Sequence, residues 1–580
     1  MPCAEGAPNS YLWAPATRSI MARGAVLSMR TMWSQPDTVS WVRFRPRRSP
    51  KECPQSQLQR LAWFDEMWSE LTSENRDLLI RNVERWHWSD TFAGFGSRDQ
   101  IQCQIVTGLE ERLKRRLLVP CTHCVTEKCK RRFRWLQEMH PRWKALHAER
   151  NVLDRLGDAK QQVLDLLPEK SASFDQKRAA NLSASKFVDT LYASAPTSMS
   201  YSKCCNHCIT KRCNPFPCSF LPKPHKFDLT EDSDAEFDDL IDESFVSATS
   251  LGVPCVDSSC MSNNAQGDAG PTMIATSTAM AGIKHASPKV DVVYIEVTKR
   301  WNATICADAR PGCDTKKMLL QGKDIGDRYN RPRLAVLSLH PRMHLTAALE
   351  DYLQCAGSCV SKTFRASAFW MNSMEEDIAE KTEFSKQRVL PVDAEVNTMS
   401  WNELLHPTQR QYLHGYMQKF ETLVHGGKAC ATDPFWCDLD QNPLGPRCRL
   451  TIDSAKKPAN LQTLITHQTI YNVPLHRVFS ARDHCRAHCW PMTTSERALV
   501  GCIGSIESKL QSKALSHSAL KRFIGDGWHL RCQGLFIMWL LAHLQVKKST
   551  RLVRQPNSFV RPNNKSKKNI KFGIFKRRKV

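Results

Sequence analysis

Two runs of the chain, "FVSATSLGVP" at 245–254 and "VDVVYIEV" at 290–297, limit its fold more than any other feature. Side chains of a strand point to alternate faces, so a strand with one wet face alternates apolar and polar residues. These runs are apolar or small at both parities. They therefore read as strands covered on both faces, the condition of a parallel sheet flanked by helices. Parallel neighbours need a crossover connection, and the interval between them is long enough for one helix. Upstream, residues 57 to 87 space their Leu, Ile and Trp positions by threes and fours and predict a helix. Helical spacing returns at Ile101, Ile105, Leu109 and Leu113. "LLVP" (117–120) and "HAERNVLD" (147–154) read as two further strands. Strands alternating with helices predict an α/β fold with a parallel sheet.

The hydrophobic content of 41% can fill a core over much of the 580 residues, enough for two or three domains or one large domain with insertions and tails. The net charge of +24 is unevenly placed. From Val546 the chain is rich in Lys and Arg with no Asp or Glu, and it ends in "KRRKV". Such a tail suits a polyanion or a nuclear import receptor. The first fifty residues hold two acids, Glu5 and Asp37, and resemble an organelle transit segment. The nucleus is the expected location, with plastid or mitochondrion as the alternative. "DLTEDSDAEFDDLIDES" (228–244) predicts an acidic disordered insertion, from about 222 to 244. The most apolar run, "GLFIMWLLAHL" (534–544), has about half the length a bilayer requires and reads as a core helix. With no membrane span or signal peptide to read, the 24 cysteines read as reduced thiols.

Ligands of open α/β sheets bind beyond the carboxyl ends of the strands, and several reactive residues are predicted there. "DTFAGFGS" (90–97) turns from strand to helix, and Gly94 and Gly96 allow the backbone close to a ligand at the helix N-terminus. Glu127 follows the second strand and Asp154 ends the third; a lone acid at either place serves equally as a helix cap. Cys255 follows Pro254 at the end of one strand, and Glu296 ends the next. A thiolate beside a carboxylic acid suits covalent catalysis on an electron-poor heterocycle, the sulfur adding to the ring as the acid protonates a ring nitrogen. In "RYNRPRL" (328–334), Arg331 and Arg333 face one way if the chain is extended and could grip a phosphate or base edge. "CTHCVTEKC" (121–129) and "CNHCITKRC" (205–213) share a cysteine spacing that could hold zinc. No metal is assigned to the site itself.

In their order along the chain these pieces resemble the DNA cytosine-5 methyltransferase family, over roughly residues 88 to 545. "DTFAGFGS" resembles the family's D-x-F-x-G-x-G-G loop, "GVPCVDSS" its G-x-P-C-x-x-x-S, "YIEVTKRW" its E-N-V segment and "YNRPRL" its Q-x-R-x-R segment. "RVFSARDHCRAHCWPM" (477–492) resembles the segment that ends in Q-G-F-P, and "FIGDGWHL" (523–530) the closing G-N-G/S segment. The resemblance implies a Rossmann-like class I methyltransferase fold with a small target-recognition region. It implies S-adenosyl-L-methionine as cofactor, bound by Phe92, Ala93, Gly94, Phe95, Gly96, Glu127, Asp154, Pro254, Asp526 and Gly527. Cys255 would be the nucleophile, Glu296 the acid, and Arg331 and Arg333 would hold the flipped cytosine. DNA is the implied substrate, with structured RNA, including transfer RNA, as the rival and a catalytically weakened chromatin protein as another reading. The expected organisation is a catalytic domain over 56–334 and a recognition region over 335–455. Residues 456–545 would return to the catalytic domain, with tails at 1–55 and 546–580. The chain departs from the pattern at Ser97 and Asp526, at Val297, at Tyr329 (Gln in the pattern), and at "HCWP" (Q-G-F-P in the pattern).

Overall fold

The computed structural model describes residues 63–91, 96–117, 123–126, 146–149, 152–169, 171–194, 246–253, 269–270, 272–286, 290–359, 366–370, 374–386, 388, 395–445, 448–454, 459–464, 468–499 and 505–547. Its centre is a seven-stranded sheet in the order β3-β2-β1-β4-β5-β7-β6. The strands are β1 (Trp86–Thr91), β2 (His123–Thr126), β3 (Leu146–Glu149), β4 (Val246–Leu251), β5 (Val292–Val297), β6 (Asp314–Leu320) and β7 (Arg333–Leu339). Five strands run parallel; β7 is inserted antiparallel between β5 and β6. The molecule thus has a Rossmann-like α/β fold. From β1 the chain first builds outward through β2 and β3, then returns to add β4 on the other side. The switch point lies between β1 and β4, whose last residues, Thr91 and Leu251, are paired there.

The sheet explains why the two apolar runs were so readable. All six residues of β5 are buried, and β4 is buried at five of six. The crossover between them contains the helix Met273–Lys284, as the strand spacing required. Elsewhere the structure corrects the sequence reading. The helix predicted to 87 stops at Arg85, because α1 (Ser73–Arg85) is capped at Trp86 in extended conformation, ψ 124°. Trp86 and Trp88 are then i,i+2 neighbours on one face of β1, their rings 5.5 Å apart. Their tryptophans continue a helix pattern only by composition. A strand of the sheet lies at His123–Thr126, whereas 118–120 of the expected second strand fall outside the described residues; the helix before it, α2 (Ser97–Leu113), ends at Lys114 in the left-handed region, φ 54°. The third strand stops at Glu149, and Asp154 lies in the 3-10 segment Val152–Ala159 beyond it. A boundary at 334 would cut β7, whose residues to Leu339 belong to the main sheet.

A smaller antiparallel sheet, β10-β9-β11-β12, is built from Phe435–Asp438 (β9), Leu450–Ile452 (β10), Ile470–Asn472 (β11) and Arg477–Val478 (β12). It spans the proposed break at 455. The apolar run at 534–544 lies in the helix Leu530–His543, in which every residue is buried. This helix packs between α1, α2 and the helical residues 63–70. A Cβ on Gly534 would come within 2.9 Å of the Trp63 ring, so only glycine permits this approach. Asn82 of α1 donates to the carbonyls of Leu541 and Leu544 (2.7 and 2.8 Å), satisfying acceptors that a helix end leaves open. Among the described residues no helix is long and apolar enough to cross a membrane.

Candidate active site

The glycine loop meets the sheet at Gly96, which precedes α2 with φ 75°. In that region a Cβ costs about 1–2 kcal/mol, so the second glycine of the loop is needed by the backbone. Gly96, the N-cap residue, offers no side-chain cap, and the start of α2 lies at the C-terminal edge of the central strand. Phe92, Ala93, Gly94 and Phe95 lie outside the described residues, as do Glu127, Pro254 and Cys255. The side chains of Asp154 and Asp526 are likewise not described. The last described residue before the predicted nucleophile is Val253, buried two positions after β4.

Glu296 is the fifth residue of β5, one register step past the Leu251↔Ile295 pair that ends the β4 ladder. It is 5% exposed, and Arg333 Nε lies 3.0 Å from its Oε1. The pair is close enough to attract but is not aligned for a hydrogen bond, so this buried carboxylate oxygen keeps its lone pairs open. Arg333 reaches Glu296 because β7 runs antiparallel beside β5, pairing Glu296 with Ala335 two residues away.

Arg331 does not share that direction. Its side chain is buried, and Nη2 donates to the carbonyls of Gly525 (2.9 Å) and Gly527 (2.8 Å). The arginines expected to face one way serve two different places, because residues 331–332 precede the pleat that begins at Arg333. Gly527 follows the helix His517–Asp526 and sits against the glycine loop: Ser97 Oγ accepts the N–H of Trp528 at 2.9 Å. Ser97, a departure from the resembled pattern, ties the loop to the closing segment. Tyr294 of β5 packs edge-on against Trp528 at 5.5 Å and donates to Gln533.

A cluster of buried charges lies behind the loop. Asp90, near the end of β1, accepts a hydrogen bond from Ser250 of β4 at 3.0 Å. Burial pushes its carboxyl up to about 7 despite the attraction of Arg98; Asp99 adds to the rise. Arg98 pairs with Asp99 at 2.5 Å and sits over the Trp88 ring at 5.5 Å.

Two departures from the family pattern meet in space. Tyr329 Oη lies 3.0 Å from His488 Nε2 and accepts from the N–H of Leu464 at 3.3 Å. His488 Nδ1 lies 3.0 Å from the His484 carbonyl, which assigns the proton to Nδ1 and makes Nε2 the acceptor of the tyrosine O–H. Burial, with Arg331 close by, holds His488 well below the ordinary imidazole range. Beside them Asp327, Cys489 and His529 bring donor atoms within 4.8 Å of one another. His529 Nδ1 accepts the N–H of Cys532 at 3.1 Å, so its proton lies on Nε2, 3.1 Å from Asp327. Asp327 and Cys489 pull the ring toward its charged form, but a ring protonated at Nδ1 could not accept from Cys532. Hydrogen bonds among the described residues thus link Asp327, Cys489 and His529 to the backbone of Cys532. The other cysteine segments, apart from the backbone of β2, lie outside the described residues.

No protein-family model matches the chain, and no curated protein matches it. Solved structures do. The Dnmt2 methyltransferase of S. pombe is 9% identical, with 78% of this chain and 98% of that one covered, at a TM-score of 0.35. The Entamoeba histolytica methyltransferase EhMeth is 10% identical, covering 79% and 98%, at 0.32. A Spodoptera frugiperda DNMT2 mutant is 9% identical, covering 79% and 99%, also at 0.32.

Proposed function

We propose that this chain is an S-adenosylmethionine-dependent methyltransferase that acts on C5 of cytosine in nucleic acid, with DNA as substrate. The observation that carries the reading is Glu296: a buried carboxylate with an open oxygen, held by Arg333 on the sheet edge where β4 leads into Pro254 and Cys255. The described part of the cofactor site fits the proposed group. A helix N-terminus behind a glycine of positive φ suits the approach of the cofactor's carboxylate, and Gly527 lies against Ser97 at its first residue. Phe92, Ala93, Gly94, Phe95, Gly96, Pro254, Asp526 and Gly527 would line that pocket, with Glu127 and Asp154 at the ribose and adenine. Bound there, S-adenosylmethionine would supply an electrophilic methyl group, its sulfonium sulfur keeping the bond's electron pair so that S-adenosylhomocysteine is the leaving group.

The protein's own groups do the rest. The target cytosine leaves the stack, at a cost of a few kcal/mol. The Cys255 thiolate forms a bond to C6, and the displaced electron pair is taken up at N3, which receives the proton of Glu296. C5 becomes nucleophilic and accepts the methyl group. Loss of the C5 proton to solvent then restores the double bond and expels the thiolate, and N3 returns its proton to Glu296. Arg333, at ion-pair distance, would attract the carboxyl and help keep it beside N3. The basic segment from Val546 supports binding to nucleic acid and to a nuclear import receptor, and hence a nuclear location.

The test is transfer of tritiated methyl from the cofactor to duplex DNA or to total transfer RNA, with Cys255→Ala in parallel. Label in 5-methylcytosine of DNA that vanishes in the variant is the expected result. Label in RNA alone moves the substrate and keeps the chemistry. Label that survives Cys255→Ala, or no label with either acceptor, overturns the proposal.

A further inference from the structure

We propose that Arg331 is a positioning residue for the cofactor pocket and not a contact for the flipped nucleotide; this rests on the function proposed above. The segment Asp327–Arg331 and the closing segment Gly525–His529 are joined rung by rung. Asp327 holds His529 at one end, at 3.1 Å. Arg331 holds the Gly525 and Gly527 carbonyls at the other. Between them Tyr329, fully buried, bonds His488, whose backbone carbonyl accepts the N–H of Leu530 at 3.1 Å. The carbonyls that Arg331 takes lie at the end of the helix His517–Asp526, where such acceptors have no partner within the helix. A guanidinium supplies paired, charge-assisted donors for them.

The far side of the closing segment touches the glycine loop. Trp528 N–H donates to Ser97 Oγ, and a Cβ on Gly527 would lie 3.1 Å from the same oxygen. Ser97 is the first residue of α2, directly after Gly96. A continuous route therefore runs from the Arg331 guanidinium through Gly527 and Trp528 to the N-terminus of α2. Both carbonyl bonds are made by Nη2, and they hold the buried side chain toward the closing segment. Arg333 alone of the pair stands beside Glu296.

The experiment compares wild type with Arg331→Met, Arg331→Lys and Ser97→Ala. Three quantities are read: affinity for S-adenosylhomocysteine, affinity for a short cytosine-containing duplex, and hydrogen exchange of the Trp528 amide. Arg331→Met is expected to weaken S-adenosylhomocysteine binding about tenfold, the lower end of what a hydrogen bond to a charged group contributes. Duplex affinity should stay within about twofold, and Trp528 exchange should accelerate. Arg331→Lys should recover part of the loss, and Ser97→Ala should weaken S-adenosylhomocysteine binding in the same direction. Duplex affinity that falls while S-adenosylhomocysteine affinity holds would overturn the proposal. If Arg331→Met does not fold, unchanged S-adenosylhomocysteine binding and Trp528 exchange in Ser97→Ala overturn it equally. Wild type that binds no S-adenosylhomocysteine refutes the proposed function, whereas Trp528 exchange still decides whether Arg331 positions the segment.

Discussion

Replacing Asp90 by Asn removes a charge and almost nothing else, so it isolates the cost of a buried carboxylate behind the glycine loop. Asp90 is 2% exposed, hydrogen-bonded by Ser250, and faces Arg98 and Asp99 of α2. Its folded pKa is about 7 against an ordinary 3.8, with burial the chief cause. The sign follows from proton linkage. Between pH 3.8 and about 7 the folded state holds a proton that the unfolded state has released. Stability therefore falls as pH rises through that window and stays low above it. The gap between 3.8 and about 7 amounts to at most about 4 kcal/mol, and relaxation and water entry reduce it to about 2 kcal/mol. Asn keeps an acceptor for Ser250 and has no charge to desolvate, while Arg98 retains Asp99 as partner. Urea unfolding at pH 5, 6, 7 and 8 should show Asp90→Asn gaining on wild type as pH rises, by about 2 kcal/mol at pH 8. A difference that does not change with pH refutes the argument. A variant that loses ground as pH rises would mean that Arg98 stabilises the carboxylate more than burial penalises it.

Cys489 adopts φ 61°, where a side chain costs about 1 kcal/mol and where the family pattern has glycine. Cys489→Gly should raise stability by about 0.5–1 kcal/mol in urea unfolding; a loss of comparable size would show that the thiol's contact with His529 outweighs the strain. Gly534→Ala places a methyl group 2.9 Å from the Trp63 ring. Overpacking of about 1–3 kcal/mol exceeds the gain of up to about 1 kcal/mol in helix propensity, so thermal unfolding should shift downward. An upward shift would show that Trp63 moves aside at little cost.

How much of this was legible depends on how local the determinant is. β4 and β5 could be read because their burial on both faces is written in consecutive residues. Glu296 followed from β5, since its position at the strand's end needs only the strand's limits. β1 was harder, because Trp86 and Trp88 look like the continuing face of a Trp-rich helix until the chain turns extended. β2 and β3 are four residues each, too short for a period, and their limits depend on pairing with β1. The role of Arg331 could not be read at all. Its partners lie 194 and 196 residues away, and nothing near Arg331 announces which segment returns to it. For Cys489 a signal existed: a non-glycine residue at a glycine position of the resembled motif pointed to strain, although not to its neighbours.

The departures from the family pattern become intelligible once they are seen as pairs. Ser97 stands where a second glycine is expected, and its hydroxyl takes the backbone N–H of Trp528 in the closing segment. Tyr329 and His488 each replace a glutamine, and they bond to one another in a buried position where either alone would leave a polar atom unsatisfied. The changed residues thus lie along the junction where the C-terminal segment returns to the sheet. The acid and its arginine on β5 and β7 remain as the pattern has them. A chain whose substitutions compensate one another at a junction has kept the requirement that the junction close.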